Sequence, residues 1–328
     1  MATRAVIDIG TNATKLLVGK VDRGVITPVY RARDVTRLSE HFFESHRLRP
    51  EAIARTAAAV SRFVSQAQRY DPESIRIVAT SAARDALNRA ELISAIERST
   101  GIKTEIISGE QEAQWAYDGV LSEHAFARGV AVVFDLGGGS TELILGENGV
   151  VYARRSYLLG AIRLFQSLKL VEPPSVADLT ACRRAAMLFV RENILPQLGP
   201  ALTLLFRQKC LWIGCGGTVS ALARILCRGK LDSRLSTFQL AALRALISRL
   251  WSIPREQRVA EGVASTRVDS ILTGAVIVES LMLSFDVAEI SVSSHGVRHG
   301  VLLAAPEREA AGPSFSATPE LSFEQPRA

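Results

Sequence analysis

The 328-residue sequence is poor in cysteine and contains no long apolar run. None of its four cysteines forms a CxxC pair, which excludes a zinc site or a dithiol redox centre of that spacing; they are Cys182, Cys210, Cys215 and Cys227. Residues 271–283 form the longest apolar stretch near a possible membrane span, but they number only 13 and include Glu279. A spanning helix needs about 18 or more apolar residues, so we expect no transmembrane segment.

The N-terminus also lacks an apolar signal region, because residues 1–4 lead straight into a strand-like pattern. This predicts a cytoplasmic location, without membrane or nucleic acid as partners. Lys and Arg outnumber Asp and Glu by 39 to 33, and the net charge of +6 weakly favours an anionic partner. Hydrophobic residues make up 48% of the chain, as in a globular protein, and the length allows two domains.

A near-repeat is the most informative feature of the sequence. Residues 6–19, VIDIGTNATKLLVG, recur 127 positions later as residues 133–146, VFDLGGGSTELILG. Each copy consists of an apolar strand, a turn of small and polar residues, and a second apolar strand, which predicts a β-hairpin. Two such hairpins predict two similarly built lobes.

The rest of the chain predicts mixed α and β structure within these lobes. Apolar spacing favours helices, and short apolar runs favour strands. Beyond residue 305 the sequence is rich in Pro, Ser, Glu and Ala without periodicity, and we expect a disordered tail over 305–328. We expect helices over residues 50–69, 85–99, 176–195, 237–251 and 270–285 and from Thr218, strands over 74–79 and 210–213, and a glycine turn at Gly214, Gly216 and Gly217.

The two hairpin turns are suited to binding phosphate. Backbone N–H groups in a tight turn can converge on an anion, and glycine is needed where the chain approaches it too closely for a Cβ atom. In the first turn, side-chain donors of Thr11 and Asn12 add to this set. The second turn offers Gly137, Gly138, Gly139, Ser140 and Thr141.

An aspartate precedes each turn. Asp8 and Asp135 end apolar strands, where a buried carboxylate needs compensation, and Mg²⁺ (or Mn²⁺) bridging carboxylates to phosphate oxygens would supply it. Each aspartate can instead cap its own turn, and both readings can hold together. The copies differ at Lys15, which can contact phosphate, and at Glu142, which can hold a metal or be an ordinary solvated strand residue.

The chain resembles the exopolyphosphatase and guanosine pentaphosphate phosphatase family, within the larger group that includes actin, heat-shock chaperones and sugar kinases. The two hairpins carry the resemblance, and further blocks are similar to those of the family and occur in the same order. The resemblance covers roughly residues 4–304, and these blocks are VATSAARDALN (78–88), IISGEQEA (106–113), LGAIR (159–163) and VSSHGVRHG (292–300).

The resemblance implies a fold of two actin-like (ribonuclease H-like) α/β lobes with a central cleft, spanning residues 1–124 and 125–304. It also implies that Glu112 is the general base that activates water, and that Arg84 binds phosphate. Without the resemblance, Glu112 would be read as a helix N-terminal carboxylate. Arg37 and Arg267 resemble family positions less clearly, and the glycine turn at 214–218 resembles a nucleotide site but can be structural.

The leading hypothesis is an exopolyphosphatase that removes the terminal phosphate of polyphosphate with Glu112 and Mg²⁺. The alternative is a guanosine pentaphosphate (pppGpp) phosphohydrolase, which would use the same turns. A phosphotransferase and a non-catalytic phosphate sensor are two further classes. Substrate preference is open because Ser39, His41 and His299 depart from the family pattern, and a homodimer is expected only by resemblance.

Overall fold

The computed structural model describes residues 1–170, 172–205, 210–227 and 236–304, which form two sheets and the helices around them. The first sheet has the strand order β3-β2-β1-β4-β5 and the second the order β10-β11-β9-β6-β7-β8. The strands are β1 (Ala2–Ile9), β2 (Thr14–Asp22), β3 (Val25–Asp34), β4 (Ser74–Ala79), β5 (Thr104–Ile106), β6 (Val130–Leu136), β7 (Thr141–Glu147), β8 (Val150–Tyr157), β9 (Leu211–Cys215), β10 (Ser236–Gln239) and β11 (Glu289–Val292). The predicted tail over 305–328 lies outside the described residues.

The two sheets share one topology. In each, three consecutive antiparallel strands are followed by two parallel strands, which are β4 and β5 in the first sheet and β9 and β11 in the second. The second sheet has one further strand, β10, antiparallel to β11 at its edge. The two lobes predicted from the repeat are therefore confirmed. The sequence predicted only two of the three antiparallel strands in each lobe. It missed the edge strands β3 and β8, because neither contains a repeated motif.

Helices cover the outer faces of both sheets and also lie between them. Most predicted helices are confirmed within a few residues, but residues 237–239 are in β10 rather than in a helix, and the helix predicted over 85–99 begins at Arg89. The helices are α1 (Phe42–Ser45), α2 (Pro50–Gln68), α3 (Ser81–Asp85), α4 (Arg89–Thr100), α5 (Gly109–Leu121), α6 (Ala161–Leu168), α7 (Val176–Phe189), which a π-helical turn (Val190–Ile194) joins to α8 (Leu195–Leu205), α9 (Gly216–Leu226), α10 (Leu240–Trp251), α11 (Arg255–Ala260), α12 (Ser270–Ser284) and α13 (Val297–Leu303).

Alternation along the strands gives each sheet an outer and an inner face. In β1, Ile7 and Ile9 pack outward against a core that includes α2 and α4, whereas Val6 points inward. In β6, Phe134 packs outward and Val133 inward. Asp8 lies two residues after Val6, and Asp135 lies two residues after Val133. Both carboxylates therefore project from the inner faces of the sheets, toward the other lobe.

Helices α5 and α13 fill the space between the inner faces of the two sheets. They cross closely because Gly119 lies against the backbone of Gly296 and Gly300 lies against the carbonyl group of Trp115. Helix α13 also packs on β1 and β2, and Arg4 Nη1 donates to the Leu302 carbonyl at 2.7 Å. The lobe boundaries at 1–124 and 125–304 stay a prediction. Across the described ranges, no helix is both long and apolar enough to cross a bilayer.

Candidate active site

A cavity of about 160 Å³ lies between the two lobes, where the ends of β1 and β6 approach each other. Residues from both hairpin turns, from the start of α5 and from the start of α9 form its walls. Among the predicted site residues, those that line it are Asp8, Thr11, Asn12, Glu112, Asp135, Gly137, Gly138, Gly139, Ser140 and Glu142.

The two turns have the same internal geometry and face each other. Gly10 N–H donates to the Ala13 carbonyl at 3.2 Å, and Gly137 N–H donates to the Ser140 carbonyl at 3.0 Å. A Cβ atom on Gly139 would lie 2.9 Å from Thr11 Oγ1, so the backbone of the second turn reaches the side chains of the first only because glycine stands there. The predicted shared cleft is confirmed.

The register of the strands places one charged neighbour beside each aspartate. Asp8 pairs across β1 and β2 with Lys15, whose Nζ atom lies 3.8 Å from Asp8 Oδ2. Asp135 pairs across β6 and β7 with Glu142. Directly paired residues project from the same face of a sheet, so one lobe presents a compensated pair and the other presents two carboxylates.

Glu112 lies in the first turn of α5, which begins where the Ser108 side chain caps the helix by accepting from Gln111 N–H at 3.1 Å. The Glu112 side chain is buried, and Arg84 Nη1 donates to Glu112 Oε2 at 2.8 Å. Burial raises the pKa of Glu112 to about 7, against the opposing effect of Arg84. A buried carboxylate with a pKa near neutrality can accept a proton from water at physiological pH.

Asp135 and Glu142 carry more negative charge than their surroundings compensate. Burial raises the pKa of Asp135, and Lys15 opposes this rise. Burial, followed by the charges of Glu112 and Asp135, raises the pKa of Glu142 well above its usual value, although Ser156 Oγ donates to Glu142 Oε1 at 2.6 Å. Two crowded carboxylates of this kind are typical of a site completed by a cation.

The donor set fits Mg²⁺ as an ion held jointly by protein and phosphate. Among the described residues, no three His, Cys, Asp or Glu side chains are grouped so that they could hold a metal by themselves. Mg²⁺ is commonly bound by one or two carboxylates together with water and substrate phosphates, which Asp135 and Glu142 can provide. Asp8, which is paired with Lys15, stays a predicted ligand.

Two predicted phosphate-binding residues are placed differently from the others. Thr141 is buried, and its hydroxyl group donates to the Leu159 carbonyl, so its side chain stabilises the turn. Arg84 lies behind Glu112 and also donates to the Ile107 carbonyl at 3.2 Å. Within the part of the chain that the structure describes, neither side chain lines the cavity. Phosphate binding by Arg84 stays a prediction.

Arg163 is a residue of the site that the sequence did not single out. It belongs to α6, and its Nε atom donates to the Gly139 carbonyl at 2.7 Å. Its Nη2 atom lies 2.7 Å from Asp85 Oδ2 of the first lobe, and its guanidinium stacks 4.4 Å from the ring centroid of Phe43. The only signal was its place in the block 159–163, because its first-lobe partners Asp85 and Phe43 lie 78 or more residues earlier in the chain.

A second cavity of about 420 Å³ adjoins the first. Asn12, Ile162 and Ser270 line both, so the larger cavity is continuous with the one between the two hairpin turns. Arg37, Ser39 and His41 line it from the first lobe, and Phe165, Arg255 and Asp269 line it from the second.

Two α/β lobes of one topology, with matched turns that face each other across a cleft, define an actin-like two-lobed protein. The Ppx/GppA phosphatase family matches residues 17–309, and the chain belongs to that family. The structure of the Aquifex aeolicus PPX-GPPA enzyme is similar with a TM-score of 0.73 and 25% identity, over 92% of this chain and 99% of that one.

Curated relatives support the same assignment. Exopolyphosphatase 2 of Mycobacterium tuberculosis is 34% identical over 319 residues, covering 91% of this chain and 97% of its own length. Guanosine-5'-triphosphate,3'-diphosphate pyrophosphatase of Aeromonas salmonicida is 27% identical over 299 residues, and the match covers 91% of this chain and 58% of that relative. A Cytophaga hutchinsonii exopolyphosphatase structure, at 23% identity and a TM-score of 0.82 over 92% of this chain and 96% of that one, supports the fold.

Proposed function

We propose that this protein is an exopolyphosphatase that hydrolyses the terminal phosphate of inorganic polyphosphate. The observation that carries the proposal is the position of Glu112 in one cavity with both phosphate-binding turns. The names of the relatives agree with it, because the Mycobacterium tuberculosis relative is an exopolyphosphatase matched over nearly its whole length.

In the proposed reaction, the backbone N–H groups of residues 11–13 and 138–140, in the two turns, bind the terminal phosphates. Glu112, in its carboxylate form, accepts a proton from a water molecule whose oxygen attacks the terminal phosphorus. The bond between that phosphorus and the bridging oxygen breaks, which releases orthophosphate and leaves the shortened chain with the bridging oxygen. Arg84 keeps Glu112 oriented and favours its charged form.

Asp135 and Glu142, with Asp8 nearby, are the residues that would hold Mg²⁺ or Mn²⁺. When bound, such an ion neutralises charge on the phosphoryl oxygens. Lys15 supplies a positive charge on the opposite wall of the cavity, although burial lowers its pKa. A cytoplasmic location and a homodimer stay predictions of the sequence.

The second candidate function is hydrolysis of pppGpp to the tetraphosphate. The adjoining cavity of about 420 Å³ favours it, because that cavity offers room for a nucleoside beside the phosphate turns. The Aeromonas salmonicida relative carries this activity in its name.

Phosphate release from the purified protein tests the proposal. With Mg²⁺ we expect release from polyphosphate, none after chelation, and no requirement for a phosphoryl acceptor. Glu112→Gln should reduce the turnover number by about 10²–10⁴-fold, the usual contribution of a general base, and should leave polyphosphate binding measurable by calorimetry. Wild-type turnover in Glu112→Gln would exclude this residue as the base, and consumption of ATP only with an acceptor would instead indicate a phosphotransferase.

A further inference from the structure

Ser81 carries a buried hydroxyl group that the folded protein leaves without a partner. Among the described residues, two buried side-chain polar atoms that lack a hydrogen-bond partner belong to residues lining the cavity, Ser81 Oγ and His299 Nε2. A serine within a helix commonly bonds to the carbonyl group one turn earlier, as Ser280 does to Val276 at 2.8 Å. Ser81 is the first residue of α3, so no earlier helical turn offers it such a carbonyl group.

The position of Ser81 is fixed from both sides of the cleft. The N–H group of Thr80, the residue before it, donates to the Ile9 carbonyl at 3.2 Å, which ties the start of α3 to the end of β1. On the other side, a Cβ atom on Gly139 would overlap Ser81 Oγ and would lie 2.9 Å from Thr11 Oγ1. The Ser81 hydroxyl group therefore lies against the second turn, beside the side chain of the first turn that the same glycine approaches.

The helix that carries Ser81 also orients the proposed base. Ser81 and Arg84 are three residues apart on α3, so their side chains are neighbours on one face of this helix. Arg84 Nη1 donates to Glu112 Oε2 at 2.8 Å, and Glu112 and Ser81 both line the cavity. The same short helix thus contacts the base through Arg84 and borders the second turn through Ser81.

A water molecule that attacks phosphorus needs more than a base. A lone pair of its oxygen must point at the phosphorus atom, in line with the bond that breaks. Glu112 accepts only one of the two hydrogens of the water, so a second acceptor is needed to fix the direction of that lone pair. A serine hydroxyl group can accept this hydrogen bond and at the same time donate its own hydrogen to a phosphoryl oxygen.

We propose that Ser81 is a catalytic residue that aligns the attacking water: Ser81 Oγ accepts one hydrogen bond from the water, Glu112 accepts the other, and the Ser81 hydroxyl group donates to an oxygen of the terminal phosphate. This inference rests on the proposed function. No bond to Ser81 forms, and the proton that leaves the water goes to Glu112. The role explains why a hydroxyl group is kept here at a cost in stability, since alanine would fill the space without leaving a polar atom unpaired.

Ser81→Ala tests this role in the full-length protein with Mg²⁺ and with polyphosphate or pppGpp as substrate. We expect kcat to fall about tenfold, the effect of one lost hydrogen bond, while KM stays nearly unchanged because the turns still bind the phosphates. The urea midpoint of Ser81→Ala should equal or exceed that of the wild type, because no protein partner is lost. A serine with a purely structural role would give the opposite pattern, a lower urea midpoint with an unchanged kcat.

Thr104→Val is the matched control. Thr104 Oγ1, on β5, is likewise buried without a hydrogen-bond partner in the described part of the chain, but Thr104 does not line the cavity. Loss of this hydroxyl group should leave kcat unchanged. A fall in kcat equal to that of Ser81→Ala would mean that the loss of any buried hydroxyl group disturbs catalysis, and it would overturn the alignment role.

A double variant tests whether Ser81 and Glu112 act on the same water molecule. Ser81→Ala/Glu112→Gln should lose little more kcat than Glu112→Gln alone, because alignment helps only while the base accepts the proton. Multiplicative losses would overturn the shared water, and so would a raised KM with wild-type kcat in Ser81→Ala, which would indicate phosphate binding only. In both cases the proposed function would stand. A wild-type protein that released phosphate from neither substrate would refute the proposed function, and the role of Ser81 with it.

Discussion

Arg84 controls the charge of the carboxylate that it contacts. Its Nη1 atom lies 2.8 Å from Glu112 Oε2, and its positive charge opposes the effect of burial on the pKa of Glu112, which is raised to about 7. Only the deprotonated Glu112 can accept a proton from water. Hydrolysis should therefore increase with pH through the pKa of Glu112 and then level off.

Replacement of Arg84 by an uncharged residue should shift the pH dependence of hydrolysis to higher pH. In Arg84→Met the carboxylate loses its favourable partner, so the pKa of Glu112 rises further and the acidic limb of kcat/KM shifts to higher pH. A pH profile of kcat/KM measures the shift independently of any loss in amplitude. Arg84→Lys should show a smaller shift because it retains the charge, and Arg98→Met should show none. A half-maximum that stayed in place or moved to lower pH would contradict this role.

At the level of elements, α5 and α13 depend on glycine for their crossing. A Cβ atom on Gly300 would overlap the backbone of Trp115, and one on Gly119 would overlap the backbone of Gly296. Backbone atoms cannot rotate away as a side chain can, so the helices would have to separate. This separation would disturb Glu112, which lies two turns before Gly119 on the same helix.

Gly300→Ala should therefore destabilise the protein by about 1–3 kcal/mol, the usual cost of overpacking, despite the better helix propensity of alanine. Urea unfolding followed by circular dichroism measures the change. Ser94→Ala, on the exposed side of α4, should stay within about 0.5 kcal/mol of the wild type. Equal stability of Gly300→Ala and the wild type would show that the two helices can separate without cost.

The sequence predicted the elements that repeat and those with clear periodicity. The hairpins were found because identical residues recur at Asp8 and Asp135, and α2 because its apolar residues keep helical spacing. The edge strands β3 and β8 were missed because both lie outside the repeated motif, and β3 carries exposed charged residues, among them Arg31 and Arg33, that interrupt an apolar pattern. Residues 237–239 joined a strand because β11 offers hydrogen bonds that no local pattern reveals.

Without the family resemblance, the sequence predicted only those site residues that belong to one continuous turn motif. Gly137 to Ser140 belong to one continuous motif, whereas Glu112 and Arg84 were singled out only by the family resemblance, and their ion pair was not predicted. The pKa of Glu112 depends first on burial, and burial arises from the packing of two lobes. The Arg163 contacts join residues from three separate segments, and no spacing rule connects them.

At the scale of the whole molecule, two sets of helix contacts hold the lobes together. Helices α5 and α13 lie between the sheets, and α6 reaches across to the first lobe. Gln166, one turn after Arg163, donates from Nε2 to the Ser39 carbonyl at 3.0 Å. The same face of α6 thus contacts the first lobe twice.

Arg163 connects this contact to the chemistry, because it bonds both the Gly139 carbonyl of the second turn and Asp85, the residue after Arg84. Arg163→Ala should loosen the lobes and misplace Glu112 relative to the phosphate, with a fall in kcat/KM of about 10²-fold. Hydrogen exchange should increase in α1 and α6, whereas the exposed Lys169→Gln should change neither quantity appreciably.

A double-mutant cycle with Asp85→Ala separates a shared contact from two unrelated effects. If the pair acts as a unit, the double variant should lose little more than Arg163→Ala alone, because the first substitution already removes the interlobe contact. Fully additive losses would mean that Arg163 acts through Gly139 only. The lobes would then be held closed by α5 and α13, and α6 would serve the second phosphate turn without linking it to Arg84.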